Sequence, residues 1–350
     1  MIQFLQMLDA KLAKQLNETA LAMVAKGKGI LAADESTSTI TKRLDSIGVE
    51  STEETRRFYR QILLTTKEVE KYISGVILYD ETIRQKADDG TPFPKALSDQ
   101  GILPGIKVDT GAKPLALSPQ ETVTEGLDGL RERLQEYYKL GARFAKWRAV
   151  ITIAWMDLPT DYCIHVNAHA LGRYAALCQE NGLVPIVEPE VMMDGGNMNH
   201  SIERCEEVTT KVLRAVFEEL AKQQVDLKGI ILKPNMIVPG KKIAMPDPKQ
   251  VAEHTLRVYK QEVPIEVPGC VFLSGGQSDT DATVNMNEMN KMGPHPWELS
   301  FSYGRGLQAA VLEAWKGKKE NVAAAQKALL KRAMLNGAAR DGKYTPEMEK

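Results

Sequence analysis

Six charged residues of this sequence form three pairs with a spacing of two, each within or at the end of an apolar run. The pairs are Lys107 and Asp109, Lys146 and Arg148, and Glu188 and Glu190. A spacing of two puts both members of a pair on one face of a β-strand. Because a charge inside a buried strand is costly unless it is paired or solvated, the pairs favour a functional site over a purely structural role.

Two lysines, with carboxylates between them, could form a Schiff base with a carbonyl compound. A free lysine, with a pKa of about 10.4, is almost fully protonated near pH 7, so a nucleophilic lysine needs burial or a nearby cation to lose its proton. Lys233 follows a run of apolar residues and precedes Pro234. We therefore predict Lys233 as the nucleophile and Lys146 as the neighbouring cation. The strand between them would supply Glu188 and Glu190 as acid and base.

The elements that would hold these residues alternate between short apolar runs and longer amphipathic stretches. Helical spacing is seen, for example, in Glu53–Tyr72, Thr122–Leu140, Asp161–Glu180 and Ser201–Gln223. Eight strands, each followed by a helical pattern, predict a closed parallel (β/α)8 TIM barrel of the α/β class. The predicted strands are Gly29–Ser36, Gly75–Glu81, Gly101–Asp109, Phe144–Ile151, Val184–Val191, Lys228–Met236, Gly269–Gly276 and Trp297–Arg305.

One domain is expected over residues 1–350, with the barrel at about 29–317 and a C-terminal helix and tail at 318–350. A further helix is expected in the first thirty residues, and the polar tail at 341–350 is expected to be loosely held. Barrels build their active sites at the carboxyl ends of the strands. Charges from six predicted strands would therefore meet at one mouth, Asp34 among them.

Two groups of small and basic residues could bind anions at this mouth. Loops after the seventh and eighth strands of barrels often hold phosphate through backbone N–H groups. The segments Phe272–Gln277 and Phe301–Arg305 fit that role, with Ser274, Gly275, Gly276, Ser302, Gly304 and Arg305 as candidates. A second anion site is suggested by Ser36, Thr39, Lys42, Arg43 and Lys107, although the loop holding most of these is also simply polar.

Composition restricts the class of protein. The 350 residues carry a net charge of −1, which argues against nucleic-acid and membrane-surface binding, since both need a basic field. The four cysteines show no CxxC spacing, no run of apolar residues reaches the length of a membrane span, and charges interrupt the first residues. We expect reduced thiols in a cytoplasmic protein.

The ordered motifs of the chain resemble those of class I fructose-bisphosphate aldolases, from Gly29 to Arg305. The motifs are G-I-L-A-A-D-E-S-T (29–37), G-I-K-V-D (105–109), F-A-K-W-R (144–148), V-E-P-E (187–190), L-K-P-N-M (232–236), F-L-S-G-G-Q (272–277) and F-S-Y-G-R (301–305). The resemblance implies metal-independent, reversible cleavage of fructose 1,6-bisphosphate to dihydroxyacetone phosphate and glyceraldehyde 3-phosphate in glycolysis and gluconeogenesis. It also implies a homotetramer.

The resemblance further implies roles for individual residues. Lys233 would attack the C2 carbonyl with help from Lys146, Glu188 would shuttle protons, and Asp34 would take the C4 hydroxyl proton. Glu190, Lys107 and Arg148 would support them, and Ser274, Gly275, Gly304 and Arg305 would hold the C1 phosphate. The sequence departs from many relatives in two places: its last tyrosine is Tyr344, six positions before the final residue, and Ser38-Thr39 replaces a common Gly-Ser.

Other features of the sequence support different functions less well. His165 and His169 have the spacing of metal ligands on a helix but lack the glutamate of H-E-x-x-H, so surface histidines are the ordinary interpretation. Gly27-Lys28-Gly29 lacks the third glycine of a dinucleotide-binding loop and precedes a strand. A lysine-Schiff-base barrel for another phosphosugar, in the manner of transaldolase or sedoheptulose-bisphosphate cleavage, and a non-catalytic scaffold remain the alternatives.

Overall fold

A computed structural model describes residues 8–154, 157–196 and 198–350. Ten strands lie in these ranges. They are β1 (Gly29–Ala32), β2 (Ile73–Leu78), β3 (Leu103–Lys107), β4 (Gly111–Leu115), β5 (Ser118–Glu125), β6 (Phe144–Thr152), β7 (Val184–Met192), β8 (Ile231–Leu232), β9 (Gly269–Phe272) and β10 (Glu298–Tyr303). Eight of them close into a barrel in the order β1-β10-β9-β8-β7-β6-β3-β2, and β4 and β5 form a separate hairpin.

Helices surround the barrel. Several begin at a Ser, Thr or Asp side chain that accepts a hydrogen bond from the first turn, as at Thr52, Thr160, Ser201 and Ser278. The helices are α1 (Ala10–Met23), α2 (Thr37–Asp45), α3 (Glu53–Leu64), α4 (Asp80–Ile83), α5 (Phe93–Asp99), α6 (Leu130–Lys139), α7 (Asp161–Glu180), α8 (Ile202–Lys222), α9 (Pro248–Glu262), α10 (Asp279–Lys291), α11 (Arg305–Trp315) and α12 (Val322–Arg340).

The predicted (β/α)8 barrel is confirmed: all adjacent strand pairs around the barrel are parallel. Six of the eight predicted strands, however, end earlier than expected. The segment predicted as Lys228–Met236 keeps only Ile231–Leu232 as strand, and Gly269–Gly276 ends at Phe272. The apolar residues beyond these ends are buried in irregular backbone that lines the mouth.

Three local predictions were wrong. The helical stretch expected over Glu53–Tyr72 ends at Leu64, and a separate 3-10 turn follows at Val69–Lys71. Thr122–Leu140 was expected to be one helix, but Thr122–Glu125 belong to β5 and the helix begins only at Leu130. The β-branched residues of this segment favour a strand, and the hydroxyls of Thr122 and Thr124 donate to carbonyls of β6. The tail at 341–350 is not loose either: Tyr344 is buried, and Arg332 pairs with Glu349 at 2.8 Å.

Apolar side chains fill the lower half of the barrel, below the mouth. Leu16, Ala20 and Met23 of α1 close its amino-terminal end and belong to the same apolar cluster as Phe144. The Phe144 ring takes the space that side chains would fill at Gly75 and Gly105, since a β-carbon on Gly105 would overlap the ring. Gly105 pairs directly with Phe144 across β3 and β6. Glycine at this position is therefore a packing requirement.

We predict that Gly105→Ala destabilises the protein by about 1–3 kcal/mol, because the added methyl group overpacks a close-packed interior. Urea unfolding measures the change. Phe144→Leu in the same chain removes part of the ring and should recover some of the lost stability. An alanine variant as stable as the parent, or a double variant whose losses simply add, would show that the ring does not set this constraint.

Candidate active site

The predicted charged residues meet at the carboxyl ends of the barrel strands. Lys107, Lys146, Arg148, Glu188 and Glu190 lie within β3, β6 and β7. Asp34, Asp109, Lys233 and Ser274 follow β1, β3, β8 and β9 within two residues, and Arg305 begins the helix after β10. The spacing of two within the pairs and the parallel sheet together direct these side chains to one mouth.

A buried cluster of two lysines and two carboxylates lies at the centre of this mouth. Lys146 Nζ is 2.9 Å from Asp34 Oδ2 and 3.1 Å from Glu188 Oε2. Lys233 Nζ lies 3.2 Å from the other oxygen of the same carboxylate, Glu188 Oε1. The side chains of Glu188 and Lys233 are only 3% and 4% exposed. One buried carboxylate is thus shared by the two lysines, as the predicted arrangement of three neighbouring strands required.

The two lysines have opposite tendencies to hold a proton. Burial, assisted by the charge of Lys146, lowers the pKa of Lys233 against the opposing pull of Glu188 and Asp34. Burial also disfavours the charged form of Lys146, but Asp34 and Glu188 outweigh it and raise its pKa. Asp34 is held ionised in the same way. Burial raises its pKa, but the charges of Lys146 and Lys233 outweigh burial and lower the pKa. Lys233 is therefore the amine of the pair that can become neutral.

A second set of ion pairs supports this cluster from the side of β3. Arg148 pairs with the buried Glu190. The charge of Glu190 raises the pKa of the Arg148 guanidinium, although burial lowers it. Lys107 Nζ lies 2.6 Å from Asp109 Oδ1, and Asp109 Oδ2 also accepts from the Arg148 amide at 3.4 Å. These contacts hold Asp109, Arg148 and Glu190, the second members of the three sequence pairs, whereas Lys146 and Glu188 belong to the cluster around Lys233.

Glycines bring the loop after β9 close to the charged residues. A β-carbon on Gly275 would lie 2.9 Å from Glu190 Oε1, and one on Gly276, where φ is +76°, would overlap Met193. Ser274 faces the start of α11, since a β-carbon on Gly306 would be 3.3 Å from its Oγ. No acidic residue stands in the first turn of α11. The backbone N–H groups at this helix terminus, beside Ser274, suit an anion.

The remaining anion-binding candidates are distributed differently from the expectation. Ser302 lies inside β10 and is buried, whereas Gly304 and Arg305 are accessible at the mouth. Ser36 and Thr39 remain together at the start of α2, with their hydroxyls 3.2 Å apart. Arg43 was grouped with them by sequence, but its guanidinium lies 3.9 Å from the place of a β-carbon on Gly304. Lys107, also placed in that group, is tied to Asp109.

Glu35 is an important residue that sequence reasoning missed. Its carboxylate is buried and pairs with Arg43, with Arg60 at 2.5 Å and with the amide of Gln308 at 2.7 Å. Burial raises the pKa of Glu35, but Arg60 and Arg43 lower it more. Its position directly after Asp34 in D-E-S-T was the available signal, since a strand would direct adjacent residues to opposite faces.

The described residues contain neither a metal-binding cluster nor a membrane-spanning helix. His165 and His169 lie on α7, outside the barrel, with ring centroids 6.3 Å apart, and His169 bonds Glu219 at 3.0 Å. No group of three or more His, Cys, Asp or Glu side chains in the described ranges could hold a metal ion. All four cysteines are buried free thiols. No helix in the part of the chain that the structure covers is long and apolar enough to cross a bilayer.

The closed barrel and the charge cluster at its mouth define the protein as an α/β-barrel enzyme. Comparison with known proteins gives the family. The family described as "Fructose-bisphosphate aldolase class-I" matches residues 15–350. The chain therefore belongs to the class I fructose-bisphosphate aldolase family and is a lyase.

Individual relatives agree with this assignment over most of their length. A "Probable fructose-bisphosphate aldolase class 1" from Xanthomonas campestris pv. campestris is 58% identical over 95% of this chain and 98% of its own. "Fructose-bisphosphate aldolase 1" from Toxoplasma gondii is 54% identical over 96% and 93%. A solved fructose-bisphosphate aldolase from Plasmodium falciparum, in complex with TRAP and a small-molecule inhibitor, superposes with a TM-score of 0.95 at 52% identity and covers 97% of this chain and 98% of that one.

The opposite pKa shifts of the two lysines give a testable pH dependence. Lys146→Met removes the cation that lowers the pKa of Lys233 and leaves Glu188 and Asp34 to attract its proton. We expect the pKa of Lys233 to rise, so that its reductive methylation, which needs the neutral amine, begins at higher pH. Peptide mapping of the methylated protein across a pH series measures the midpoint.

The matched control for this experiment is Lys107→Met, since Lys107 pairs with Asp109 and is not a neighbour of Lys233. It should leave the midpoint of Lys233 methylation in place. A midpoint that stays constant or falls in Lys146→Met would contradict the electrostatic coupling between the two lysines.

Proposed function

We propose that the protein cleaves fructose 1,6-bisphosphate reversibly through a Schiff base on Lys233. The observation that carries the proposal is the buried Lys233 amine, 3.2 Å from a carboxylate that Lys146 also contacts. Membership of the class I aldolase family supports the same substrate and the same reaction. The roles proposed for the individual residues rest on this geometry together with the family resemblance.

The first step joins Lys233 to the substrate. The neutral amine attacks the C2 carbonyl and forms a carbinolamine. Glu188 lies within hydrogen-bond distance of Lys233 Nζ, so it can carry the proton that must reach the departing hydroxyl as water leaves and a protonated imine forms. Lys146 remains charged and stabilises the ionised carboxylates during this exchange. Glu190, with Arg148, supports the carboxylate side of the site.

The second step breaks the bond between C3 and C4. Asp34 is ionised because Lys146 and Lys233 lower its pKa against burial, so it can accept the C4 hydroxyl proton. The electron pair of the broken bond moves into the protonated imine and leaves an enamine, while glyceraldehyde 3-phosphate departs. Protonation at C3 and hydrolysis of the imine by water then release dihydroxyacetone phosphate and restore the Lys233 amine.

The phosphate groups of the substrate would be held at both sides of the mouth. Ser274, the amides of Gly275 and Gly304, and Arg305 would bind the C1 phosphate, with Gly276 shaping the loop. The position of Arg43 beside Gly304 adds it to this group. Ser36 and Thr39, at the start of α2, would face the other phosphate, with Lys107 and Arg148 along the rim. Ser302 would act only through β10, since its side chain is buried.

We further propose that the reaction needs no metal or other cofactor, because the protonated imine on Lys233 provides the electron sink. Membership of the family supports this proposal. Homotetrameric assembly and a cytoplasmic location are likewise proposed on family grounds. The small net charge of −1 is consistent with a protein that binds neither nucleic acid nor a membrane surface.

Borohydride reduction tests the covalent step. With dihydroxyacetone phosphate or fructose 1,6-bisphosphate present, reduction should add one substrate fragment to the protein and abolish activity, because it fixes the imine as a stable amine. Peptide mapping should place the adduct on Lys233, and Lys233→Met should give none. An adduct on another lysine would rule out Lys233 as the nucleophile.

EDTA provides the matched control for cofactor independence. We expect full activity after prolonged dialysis against EDTA. Activity that EDTA abolishes and that zinc restores would instead indicate a metal-dependent reaction.

Substitution of Arg305 tests the phosphate assignment. Arg305→Ala should raise KM for fructose 1,6-bisphosphate by about tenfold or more, since a charge-assisted hydrogen bond contributes roughly 1.5–3 kcal/mol. Steady-state kinetics on the bisphosphate and on unphosphorylated fructose measure the difference. The variant should affect the unphosphorylated sugar much less, and equal effects on both substrates would argue against contact between Arg305 and phosphate.

A further inference from the structure

The strand that precedes Lys233 is the shortest in the barrel. β8 contains only Ile231 and Leu232, which pair with β7 at two positions and with β9 at one. Residues 233–240 then continue as irregular backbone, yet all of them are buried. Buried N–H and carbonyl groups need partners, so something other than a regular strand ladder must hold this segment in place.

The side chain of Asn235 takes over this pairing. The Lys233 amide still donates to the Val187 carbonyl at 2.8 Å. Continuing the register of β7 and β8 would bring position 235 beside Glu190. At that height, the amide of Val191 donates to Asn235 Oδ1 at 3.0 Å. A side-chain carbonyl thus accepts from β7 where a regular β8 would offer its backbone.

The other groups of Asn235 are bound as well. Its Nδ2 donates to Thr209 Oγ1 on α8 at 3.3 Å and to the Met236 carbonyl at 3.1 Å. Its backbone carbonyl accepts from the Tyr259 hydroxyl on α9 at 2.5 Å. The residue is only 4% exposed. Asn235 therefore joins β7, α8 and α9 at a point two residues from the proposed nucleophile.

We propose that Asn235 is a positioning residue that holds the segment carrying Lys233 against β7, so that Lys233 Nζ stays within reach of the Glu188 carboxylate. The proposal rests on the proposed role of Lys233 as nucleophile. Asn235 Oδ1 accepts from the amide of Val191, the residue after Glu190. This hydrogen bond fixes where the segment with Lys233 lies along β7, the strand that carries Glu188 and Glu190. It acts on the reaction only through these residues.

The geometry requires a neutral amide at this position. Oδ1 must accept from Val191, and Nδ2 must donate to the Met236 carbonyl. An aspartate would keep the first bond, but it could not donate and would add a buried negative charge near Glu188 and Glu190. A serine would be neutral and too short to span both partners. The two replacements therefore disturb the same contact in different ways.

The experiment compares Asn235→Asp and Asn235→Ser with Thr209→Val in the full-length protein. Thr209→Val removes one partner of Nδ2 and nearly keeps the side-chain volume, while the bond between Val191 and Asn235 remains. We expect kcat of both Asn235 variants to fall by about a hundredfold, the size of effect that a displacement of about 1 Å can have, with KM largely unchanged. Thr209→Val should lower Tm but leave kcat as in the parent.

A pH series separates positioning from general stability. The groups that face Lys233 are Glu188 from β7, Lys146 from β6 and Asp34 after β1. If the segment moves outward, the loss of the Glu188 contact lowers the pKa of Lys233, but better solvation raises it by more, because burial is the largest influence on this amine. Borohydride trapping with dihydroxyacetone phosphate should then be slower in the Asn235 variants and begin at higher pH. In Thr209→Val, the midpoint should match that of the parent.

Two results would overturn the proposal. One is an Asn235 variant with the parent kcat and trapping midpoint. The other is a fall in kcat that is no larger than the fall in Thr209→Val once the two variants are compared at an equal loss of Tm. If the aspartate variant fails to fold because of its buried charge, the neutral serine variant decides. Failure of the parent to be trapped at Lys233 would be a failure of the proposed function, and the parent measurement distinguishes the two cases.

Discussion

Glu188 is a buried carboxylate that two lysines share, and the rest of the candidate active site depends on this contact. Its two oxygens lie 3.1 Å from Lys146 and 3.2 Å from Lys233. An ionised group in a protein interior is strongly unfavourable unless partners surround it. The cluster is stable only because β6, β7 and β8 are consecutive in the barrel, and because Asp34 reaches Lys146 from β1. Removing one member would leave uncompensated charge on the others.

The shared contact also gives two chemically identical lysine side chains different tendencies to hold a proton. Lys146 contacts two carboxylates, which outweigh burial and keep it charged, whereas Lys233 contacts one and lies near the charge of Lys146. At nearly equal burial, the surrounding charges therefore raise the pKa of Lys146, whereas the pKa of Lys233 is lowered. This separation explains how a site crowded with charges can still offer a neutral amine.

The long strands and the short strands hold different kinds of site residue around the mouth. β6 and β7 pair continuously from Phe144 and Val184 to Thr152 and Met192, so the residues that set the charge balance stand on the most regular part of the sheet. β8 and β9 end early. Lys233 lies in the segment after β8, and Gly275 and Gly276 lie in the loop after β9. Irregular backbone there can approach a substrate closely, but its buried polar groups must be bonded one by one, as Asn235 illustrates.

The barrel, and the meeting of most candidate site residues at its mouth, could be predicted from the sequence. A spacing of two identifies residues on one face of a strand, and it correctly brought Lys107, Lys146 and Glu188 to one mouth. The same local reasoning failed for Thr122–Leu140, where helical spacing competed with β-branched residues that pack on β6. It also missed Glu35 and Asn235, whose partners are distant in sequence and therefore leave no local pattern.

The sequence by itself determined the class of fold and the set of charged residues that face the mouth. Both follow from local patterns: the alternation of side chains along each strand, and the alternation of strands with helices that leads to a parallel barrel. Only the tertiary structure decided which of these charges touch. It placed Arg43 beside Gly304, and it gave Lys146 two carboxylates and Lys233 one. Protonation depends on burial and on distances of about 3–4 Å between groups far apart in the chain. These distances exist only once the barrel has closed.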